Sequence, residues 1–336
     1  MKFADGVHSQ PEVLCRSAAT VRAALAGPAG AAALAALCGR VAAIGMGAST
    51  SAAVGFAAAL RAAGRPVIAA SAADLGTGVP LGLADAYLAI SQSGRSRETV
   101  EALRAVPDGV ATVALTNDPG QPIGTAAAVT LPLGHGEDTR VSTLSYTASV
   151  QALGLLADAL TGRVSADWDA LPGAAEAVLK AGTADVIADA FDPVGVVDVV
   201  GSGIRAASVG AAALLLRESV HLPTAGFPTR EYLHGPLEVA GEGRGALIFG
   251  DGGSREARLA VDLAGYGASV VLVTSGWTGA ERHPGLRVLT LPPAGGLAAA
   301  VLDILPVQVA AIRLAARKGI TIGLHHMPDD TKLGRP

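Results

Sequence analysis

One turn of the sequence combines the residue types that bind phosphate. Residues 91–99 read Ser-Gln-Ser-Gly-Arg-Ser-Arg-Glu-Thr. The apolar run 86–90 before them predicts a buried strand, and the run 100–106 after them predicts a helix. Because helix N-termini present free N–H groups and the positive end of the helix dipole, such a turn binds phosphate well. It therefore predicts a site for a small phosphorylated metabolite. The side chains expected to contact it are Ser91, Gln92, Ser93 and Ser96.

A second turn, residues 45–51, follows the apolar run 41–44. Its glycines allow close approach of a backbone, and Ser49 can cap the helix that follows. Ligands of doubly wound sheets bind beyond the carboxyl ends of the strands, so we expect Ser49 at the same edge as the serine turn, residues 91–96. A tight structural turn is the alternative for a lone Gly-x-Gly. The dinucleotide fingerprint Gly-x-Gly-x-x-Gly is not met.

Two groups in the second half of the chain could move protons. Glu218 lies near the end of an otherwise apolar helix, where it is either a surface carboxylate or a base whose pKa partial burial would raise toward neutrality. His234 precedes Gly-Pro and is either a structural or a reactive histidine. Together, Glu218 could move a proton between C1 and C2 of a sugar, and His234 could open its ring.

The elements that must position these residues alternate between short apolar strands and helices. We predict an α/β fold with two tandem doubly wound parallel sheets of the flavodoxin-like, three-layer type. The predicted domains are residues 1–165, with a leading helical segment, and residues 166–336, with a closing helix and tail; the linker is expected at 161–172. The predicted strands are 41–44, 66–69, 87–90, 110–115, 129–131, 195–200, 246–249 and 269–274, and the long helices are 206–220 and 297–318.

Composition narrows the class of protein. The chain has 336 residues, half of them hydrophobic and 3% aromatic, and a net charge of −4 without a basic run, so we expect no nucleic-acid partner. Its two cysteines, Cys15 and Cys38, offer neither a metal spacing nor a disulfide framework, and we expect no metal and no cofactor. The N-terminus lacks an apolar signal core, and apolar segments of about 18 residues occur only as Ala/Gly-rich helices. We therefore expect a cytoplasmic protein without a membrane partner.

The motifs resemble those of the sugar isomerase (SIS) domain family, in particular the tandem pair that forms the isomerase half of glutamine–fructose-6-phosphate aminotransferase, and stand-alone aminosugar-phosphate deaminases and isomerases. The resemblance covers nearly the whole chain. The matching segments are His8 to Glu12 with the Glu-Gln-Pro opening, Gly47 to Ser49 with the Gly-Thr-Ser turn, Ser91 to Gly94 with the Ser-Gln-Ser-Gly signature, Ser96 with a phosphate-binding threonine, Arg217-Glu218 with Lys-Glu, and Glu231 to Leu237 with Glu-Leu-Lys-His-Gly-Pro-Leu.

The resemblance implies a phosphosugar isomerase or deaminase that acts on a hexose or aminohexose 6-phosphate. It implies that Glu218 is the isomerase base and that His234 acts on the sugar ring from a neighbouring subunit, hence a homodimer with shared active sites. Ser142 falls in a Val-Ala-Ser-Thr-Lys-like stretch, and Lys332 is the tail lysine that would bind the open-chain sugar as a Schiff base. Arg140 could take the place of a lysine that family members have and this chain lacks, since the forked guanidinium group suits the binding of a phosphate or carboxylate.

Departures from the family leave alternatives open. Family lysines are replaced by Leu144 and Leu215, and the chain holds four lysines in all: Lys2, Lys180, Lys318 and Lys332. No glutaminase region is expected before the SIS pair, so an aminotransferase-type synthase subunit would need a separate ammonia source. A non-catalytic phosphosugar sensor is a second alternative. A redox or nucleotide enzyme on the same sheet plan is a third, since a fold does not assign a function.

Overall fold

The sheets of the chain are parallel throughout. A computed structural model describes residues 1–75, 82–251, 254–277 and 283–334. Within these residues the strands form two five-stranded sheets, with orders β2-β1-β3-β4-β5 and β10-β9-β8-β6-β7. The first sheet comprises β1 (Val41–Gly45), β2 (Val67–Ser71), β3 (Ala86–Ile90), β4 (Ala111–Thr116) and β5 (Val129–Pro132). The second comprises β6 (Val196–Gly201), β7 (Thr224–Phe227), β8 (Arg244–Phe249), β9 (Ser269–Thr274) and β10 (Leu286–Thr290).

Both sheets have the same topology. When the second sheet is counted from its own first strand, each has the order 2-1-3-4-5, which is the flavodoxin-like doubly wound order. All eight strand pairings are parallel in the described residues. Parallel strands need crossover connections, and helices supply them. The predicted α/β class with two parallel sheets is confirmed.

Helices connect and cover the strands. Those of the described residues are α1 (Phe3–His8), α2 (Gln10–Ala26), α3 (Pro28–Ala36), α4 (Ala48–Ala62), α5 (Ala72–Leu75), α6 (Arg97–Arg104), α7 (Pro122–Ala126), α8 (Leu144–Thr161), α9 (Asp167–Lys180), α10 (Ala184–Phe191), α11 (Ala206–Val220), α12 (Thr229–Tyr232), α13 (Arg255–Gly265) and α14 (Gly296–Lys318). Short 3-10 helices occur at Gly203–Arg205, Pro236–Val239 and Asp329–Thr331.

Three local features differ from the sequence-based expectation. Strands β7 and β10 were not predicted. A glycine interrupts β7, and an arginine interrupts β10, whose first three residues are only half-buried, so neither strand shows a continuous apolar run. The expected linker 161–172 is interrupted because α9 begins at Asp167 and includes Pro172. Pro172 lies inside this helix, beyond its first turn, where it removes the backbone donor of one helical hydrogen bond.

The chain folds into two compact units, each assembled from separate segments. We call the unit that contains the first sheet the N-terminal unit. It comprises Glu12–Asp138, Leu144–Asp169 and His325–Pro336. The C-terminal unit comprises Met1–Pro11, Thr139–Thr143 and Ala170–Leu324. The C-terminal tail thus belongs to the unit that holds the first sheet. The contiguous domains 1–165 and 166–336 stay a prediction.

The core of the N-terminal unit lies on both faces of its sheet. Every residue of β1 and β3 is buried, which requires cover on either side. On one face, alternate strand residues such as Ile44 and Tyr87 join α5, α6 and α7 in a single apolar cluster. Helix α4 packs on β1 and β2 and also contacts α8. Small alanines at the strand positions let these helices approach the sheet closely.

The C-terminal unit is built around α14, which packs on α10 and α11. By length and composition alone, α14 could cross a membrane, and so could the bent pair α2 and α3 taken together. In α14, 83% of the apolar 18-residue stretch that could span a membrane is buried inside the protein. Its apolar character is therefore that of a core helix.

Candidate functional site

The serine turn follows β3 directly and is held in place by the adjoining strand β4. The N–H of Ser91 donates to the carbonyl of Leu115 at 3.1 Å, and the N–H of Asn117 donates to the carbonyl of Gln92 at 3.1 Å. Gly94 has φ +64°, and a Cβ there would lie 3.0 Å from the Asp118 carbonyl oxygen. Only glycine fits this left-handed, crowded position without strain. The turn is consequently a rigid platform.

The side chains of the serine turn retain capacity to bind a ligand. Ser91 and Ser96 are buried, and Gln92 and Ser93 are half-buried. Ser96 precedes the first residue of α6, but its side chain makes no capping bond. Its hydroxyl has only a long contact, 3.5 Å, to Glu98 Oε2 among the described residues. A hydroxyl that does not cap its own helix can donate to an anion at that helix end.

Ser49 comes from the neighbouring strand. Gly45 of β1 is the register partner of Ile90 of β3, so the turns that follow both strands emerge side by side. Gly47 has φ +57° and ψ −126°, a conformation open to glycine alone in practice. Ser49 lies in the first turn of α4 and is half-buried. The N-terminal unit therefore brings Ser49 and the serine turn to one sheet edge, as the doubly wound pattern predicts.

The tail brings Lys332 to the same edge. The Lys332 ammonium donates to the Ser93 hydroxyl at 3.3 Å, across 239 residues of sequence. The backbones of Lys332 and Ser96 form an isolated antiparallel bridge. Sequence reasoning reached Lys332 only through the family resemblance. It missed two neighbours, Arg95 and Arg97, whose side chains hold the tail.

Glu218 occupies the last turn of α11 in the C-terminal unit. The residue is half-buried, and among the described residues no hydrogen bond or ion pair reaches its carboxylate. Burial removes water that would stabilise the charge and raises the pKa of Glu218 from 4.5 to about 7. A carboxyl group with a pKa near the working pH can both accept and return a proton. Of the two readings left open by the sequence, the burial favours the base.

His234 lies just after α12 in the C-terminal unit, on a segment with a fixed backbone. The Tyr232 hydroxyl donates to Asp198 Oδ2 at 3.0 Å, and the N–H of Thr229 donates to the Ser202 hydroxyl at 3.0 Å. Tyr232 is buried, and burial also raises the pKa of Asp198. His234 itself is exposed. The imidazole of His234 is therefore open to solvent, on a loop whose backbone is anchored.

The remaining predicted residues, Arg140 and Ser142, lie in the short segment Thr139–Thr143, which belongs to the C-terminal unit. Arg140 is exposed and Ser142 is half-buried. The predicted residues thus fall in two different units. The N-terminal unit holds Ser49, Ser91, Gln92, Ser93, Ser96 and Lys332, and the C-terminal unit holds Arg140, Ser142, Glu218 and His234.

The corresponding edge of the second sheet has a different chemistry that the sequence did not reveal. Arg205, after β6, pairs with the fully buried Asp303 and with Asp251, which it contacts at 2.7 Å. The Ser208 hydroxyl also donates to Asp303 at 2.8 Å. The sequence did contain one signal for this ion pair, because Asp303 is an acidic residue within the apolar helix α14. This guanidinium already has carboxylate partners and offers little to a ligand.

Metal-ligating residues do not converge in the part of the chain that the structure describes. There, no group of three or more His, Cys, Asp or Glu side chains could hold a metal ion. Cys15 and Cys38 are free and exposed.

Comparison with known proteins gives the domain family of the segment that carries the serine turn. The sequence profile of the SIS domain matches residues 36–159, which include Ser49 and the whole serine turn. Residues 36–159 are a SIS domain. The resemblance predicted from the sequence is confirmed.

Relatives and solved structures extend the similarity beyond the SIS domain. The isomerizing glutamine–fructose-6-phosphate aminotransferase of Aeropyrum pernix is 29% identical over 225 residues, which are 62% of this chain and 36% of that protein. The chain spans 36–42% of the length of the curated relatives that it matches.

Two solved structures share the fold of nearly the whole chain. The C-terminal domain of glucosamine-fructose-6-phosphate aminotransferase from Francisella tularensis has a TM-score of 0.85 at 18% identity, over 97% of this chain and 98% of that one. Glucosamine-6-phosphate deaminase from Thermotoga maritima has a TM-score of 0.78 at 18% identity, over 98% of each chain.

Proposed function

We propose that the protein is a phosphosugar isomerase or deaminase that acts on a hexose or aminohexose 6-phosphate. The observation that carries this proposal is the half-buried carboxylate of Glu218, which has no partner among the described residues and a pKa of about 7. The serine turn, in the SIS domain, supplies the phosphate site. The names of the relatives, which are aminotransferases and a deaminase of 6-phosphosugars, agree with this substrate class.

In the proposed reaction, the serine turn and Ser49 bind the phosphoryl group through backbone N–H groups and hydroxyls. Glu218 removes the proton from C2 of the open-chain aldose and returns it to C1, while the hydroxyl proton on O2 moves to O1, which yields the ketose. When the substrate carries a 2-amino group, the resulting imine at C2 is hydrolysed by water and ammonia leaves. Lys332 holds the open chain as a Schiff base, which forms with loss of one water and is hydrolysed by water when the product leaves. Arg140 and Ser142 contribute to anion binding.

His234 opens the sugar ring in this proposal, and it acts from a neighbouring subunit. Its exposure on an anchored loop supports that role. We accordingly propose a homodimer with shared active sites, located in the cytoplasm, in which the C-terminal unit is a second SIS domain in tandem with the first. The matching strand order of the two sheets supports the tandem arrangement.

The test is incubation with glucosamine 6-phosphate and with aldohexose 6-phosphates, while ammonia and ketohexose 6-phosphate are followed. Glu218→Gln should abolish turnover and retain phosphosugar binding, measured by thermal shift. The matched control is Glu176→Gln, because Glu176 is also a helical glutamate but pairs with Lys180 on the surface. Turnover in Glu218→Gln equal to that of the control would refute the role of Glu218.

A non-catalytic sensor is the second candidate, and one observation favours it. Leu144 and Leu215, which stand where family isomerases have lysines, are both buried, so no cation occupies those positions. Saturable binding of phosphosugars without product over the whole substrate panel would favour the sensor. A synthase subunit would instead form aminosugar phosphate from fructose 6-phosphate when ammonium is supplied.

A further inference from the structure

The C-terminal tail crosses the serine turn and is tied to it by two arginine side chains. Nε of Arg97 donates to the carbonyl of Asp330 at 2.6 Å, and Nε of Arg95 donates to the carbonyl of Leu333 at 2.8 Å. These two bonds bracket Lys332 on either side along the tail. All of these residues belong to the N-terminal unit.

Backbone contacts complete the attachment. The N–H of Leu333 donates to the carbonyl of Arg95 at 2.8 Å, so Arg95 engages this one tail residue through both its main chain and its side chain. The Leu333 side chain packs against the apolar cluster of the unit. Between the two arginine contacts, the backbone of Lys332 pairs with that of Ser96. The tail is therefore held at three positions on the serine turn and α6.

This arrangement determines where the Lys332 amine can lie. In a strand, successive side chains point to opposite faces, so the bridge between Lys332 and Ser96 sets the face that Lys332 presents. Its Nζ then reaches the Ser93 hydroxyl at 3.3 Å, inside the serine turn. A lysine in an irregular tail would otherwise be mobile, because such segments are ordered only where contacts fix them.

We propose that Arg95 and Arg97 are positioning residues that hold the C-terminal tail across the serine turn and place the Lys332 amine beside Ser93. The role of this placement in catalysis rests on the proposed function, because an amine at this point would meet the sugar whose phosphate the turn binds. The attachment itself can be measured without any sugar. Arg97 is the better test position, since it lies in α6, outside the turn that would contact the ligand.

Tail attachment is tested first by trypsin, which cleaves after Lys332 only when the tail leaves the turn. Mass spectrometry follows loss of residues 333–336 from the full chain. Hydrogen bonds between a charged donor and a carbonyl are among the stronger ones, so Arg97→Ala should increase the cleavage rate about tenfold or more. Arg97→Lys should restore part of the protection. Arg104→Ala, which removes the same charge from the other end of α6, should cleave like the wild type.

Positioning is tested by a second pair of readouts on the same variants. Borohydride reduction in the presence of a ketohexose 6-phosphate should attach the sugar to Lys332 in the wild type and about tenfold less in Arg97→Ala. The same variant should lose kcat about tenfold with little change in KM, and Arg97→Lys should recover part of the loss.

Unchanged cleavage in Arg97→Ala overturns the attachment, and faster cleavage with unchanged trapping and kcat overturns the positioning role. A wild type that neither turns over nor traps any phosphosugar refutes the proposed function, and the cleavage rates still decide the attachment.

Discussion

Because the carboxylate of Glu218 is half-buried, we predict that this residue destabilises the folded protein at neutral pH. Its pKa is 4.5 when unfolded and about 7 when folded, so the folded state binds more protons between these values. Stability contributed by such a group is highest at low pH and falls as the pH rises from 4.5 through 7. With 1.36 kcal/mol per pKa unit, the penalty amounts to about 3 kcal/mol at pH 8 and about 1 kcal/mol at pH 5. Glu218→Gln removes the charge and keeps the shape, so its gain in stability over the wild type should be about 2 kcal/mol larger at pH 8 than at pH 5.

The two tryptophans allow this effect to be measured in the correct unit. Trp277 lies in the C-terminal unit with Glu218, whereas Trp168 lies in the N-terminal unit. In a Trp168→Phe background, urea unfolding followed by Trp277 fluorescence therefore reports the free energy of unfolding of the unit that contains Glu218. The measurement compares chains with and without the substitution Glu218→Gln at pH 5, 6, 7 and 8, with Glu176→Gln in the same background as the control.

The two quantities, stability and turnover, should move in opposite directions. Glu218→Gln is expected to gain stability above pH 7 and to lose turnover of phosphosugars, because in the proposed reaction the carboxylate that acts as the base is the one whose burial destabilises the fold. A stability difference that is the same at pH 5 and pH 8 would show that Glu218 ionises at its ordinary pKa, and the argument for a base poised near neutrality would fail.

Three further predictions concern other parts of the structure. Ser96→Ala should weaken phosphosugar binding about tenfold, measured by calorimetry, because a hydroxyl that donates to the charged phosphoryl group is lost; binding within twofold of wild type would contradict its role. Gly94→Ala should lower the melting temperature reported by Trp168 by about 4–8 °C, since its φ of +64° and a Cβ 2.8 Å from that of Gln121 cost about 2 kcal/mol. Asp303→Asn should cost the unit monitored by Trp277 about 3–5 kcal/mol because Arg205 loses its buried carboxylate, and an unchanged urea midpoint would refute that account.

Features set by contiguous residues were predictable from the sequence. The serine turn between β3 and α6 is a local strand–turn–helix pattern, and helix α11 has the predicted bounds of 206–220. Buried strands such as β3 and β8 show as apolar runs, because parallel strands are covered on both faces. Strands β7 and β10 could not be predicted in this way, because a glycine in β7 and an arginine in β10 break the apolar run.

Features that depend on distant contacts could not be read from the sequence. Lys332 and Ser93 are 239 positions apart, and no periodicity links them; the family resemblance supplied Lys332, and only the folded chain shows Arg95 and Arg97 beside it. The pKa of Glu218 likewise depends on how much water the fold removes, which composition does not determine. The sequence therefore predicts which residue types are available, and the tertiary structure decides their protonation and neighbours.

The two sheets show that the same topology can serve different purposes. At the carboxyl edge of the first sheet, short hydroxyl side chains and the N-terminus of α6 offer donors without a built-in anion. At the equivalent edge of the second sheet, Arg205 is neutralised by Asp251 and Asp303 of its own unit. A phosphoryl group would have to compete there with two carboxylates that already pair with Arg205, one of which, Asp303, is buried. The chemistry of the edges, and not the strand order, thus supports the proposal that the phosphate binds at the first sheet and not at the second.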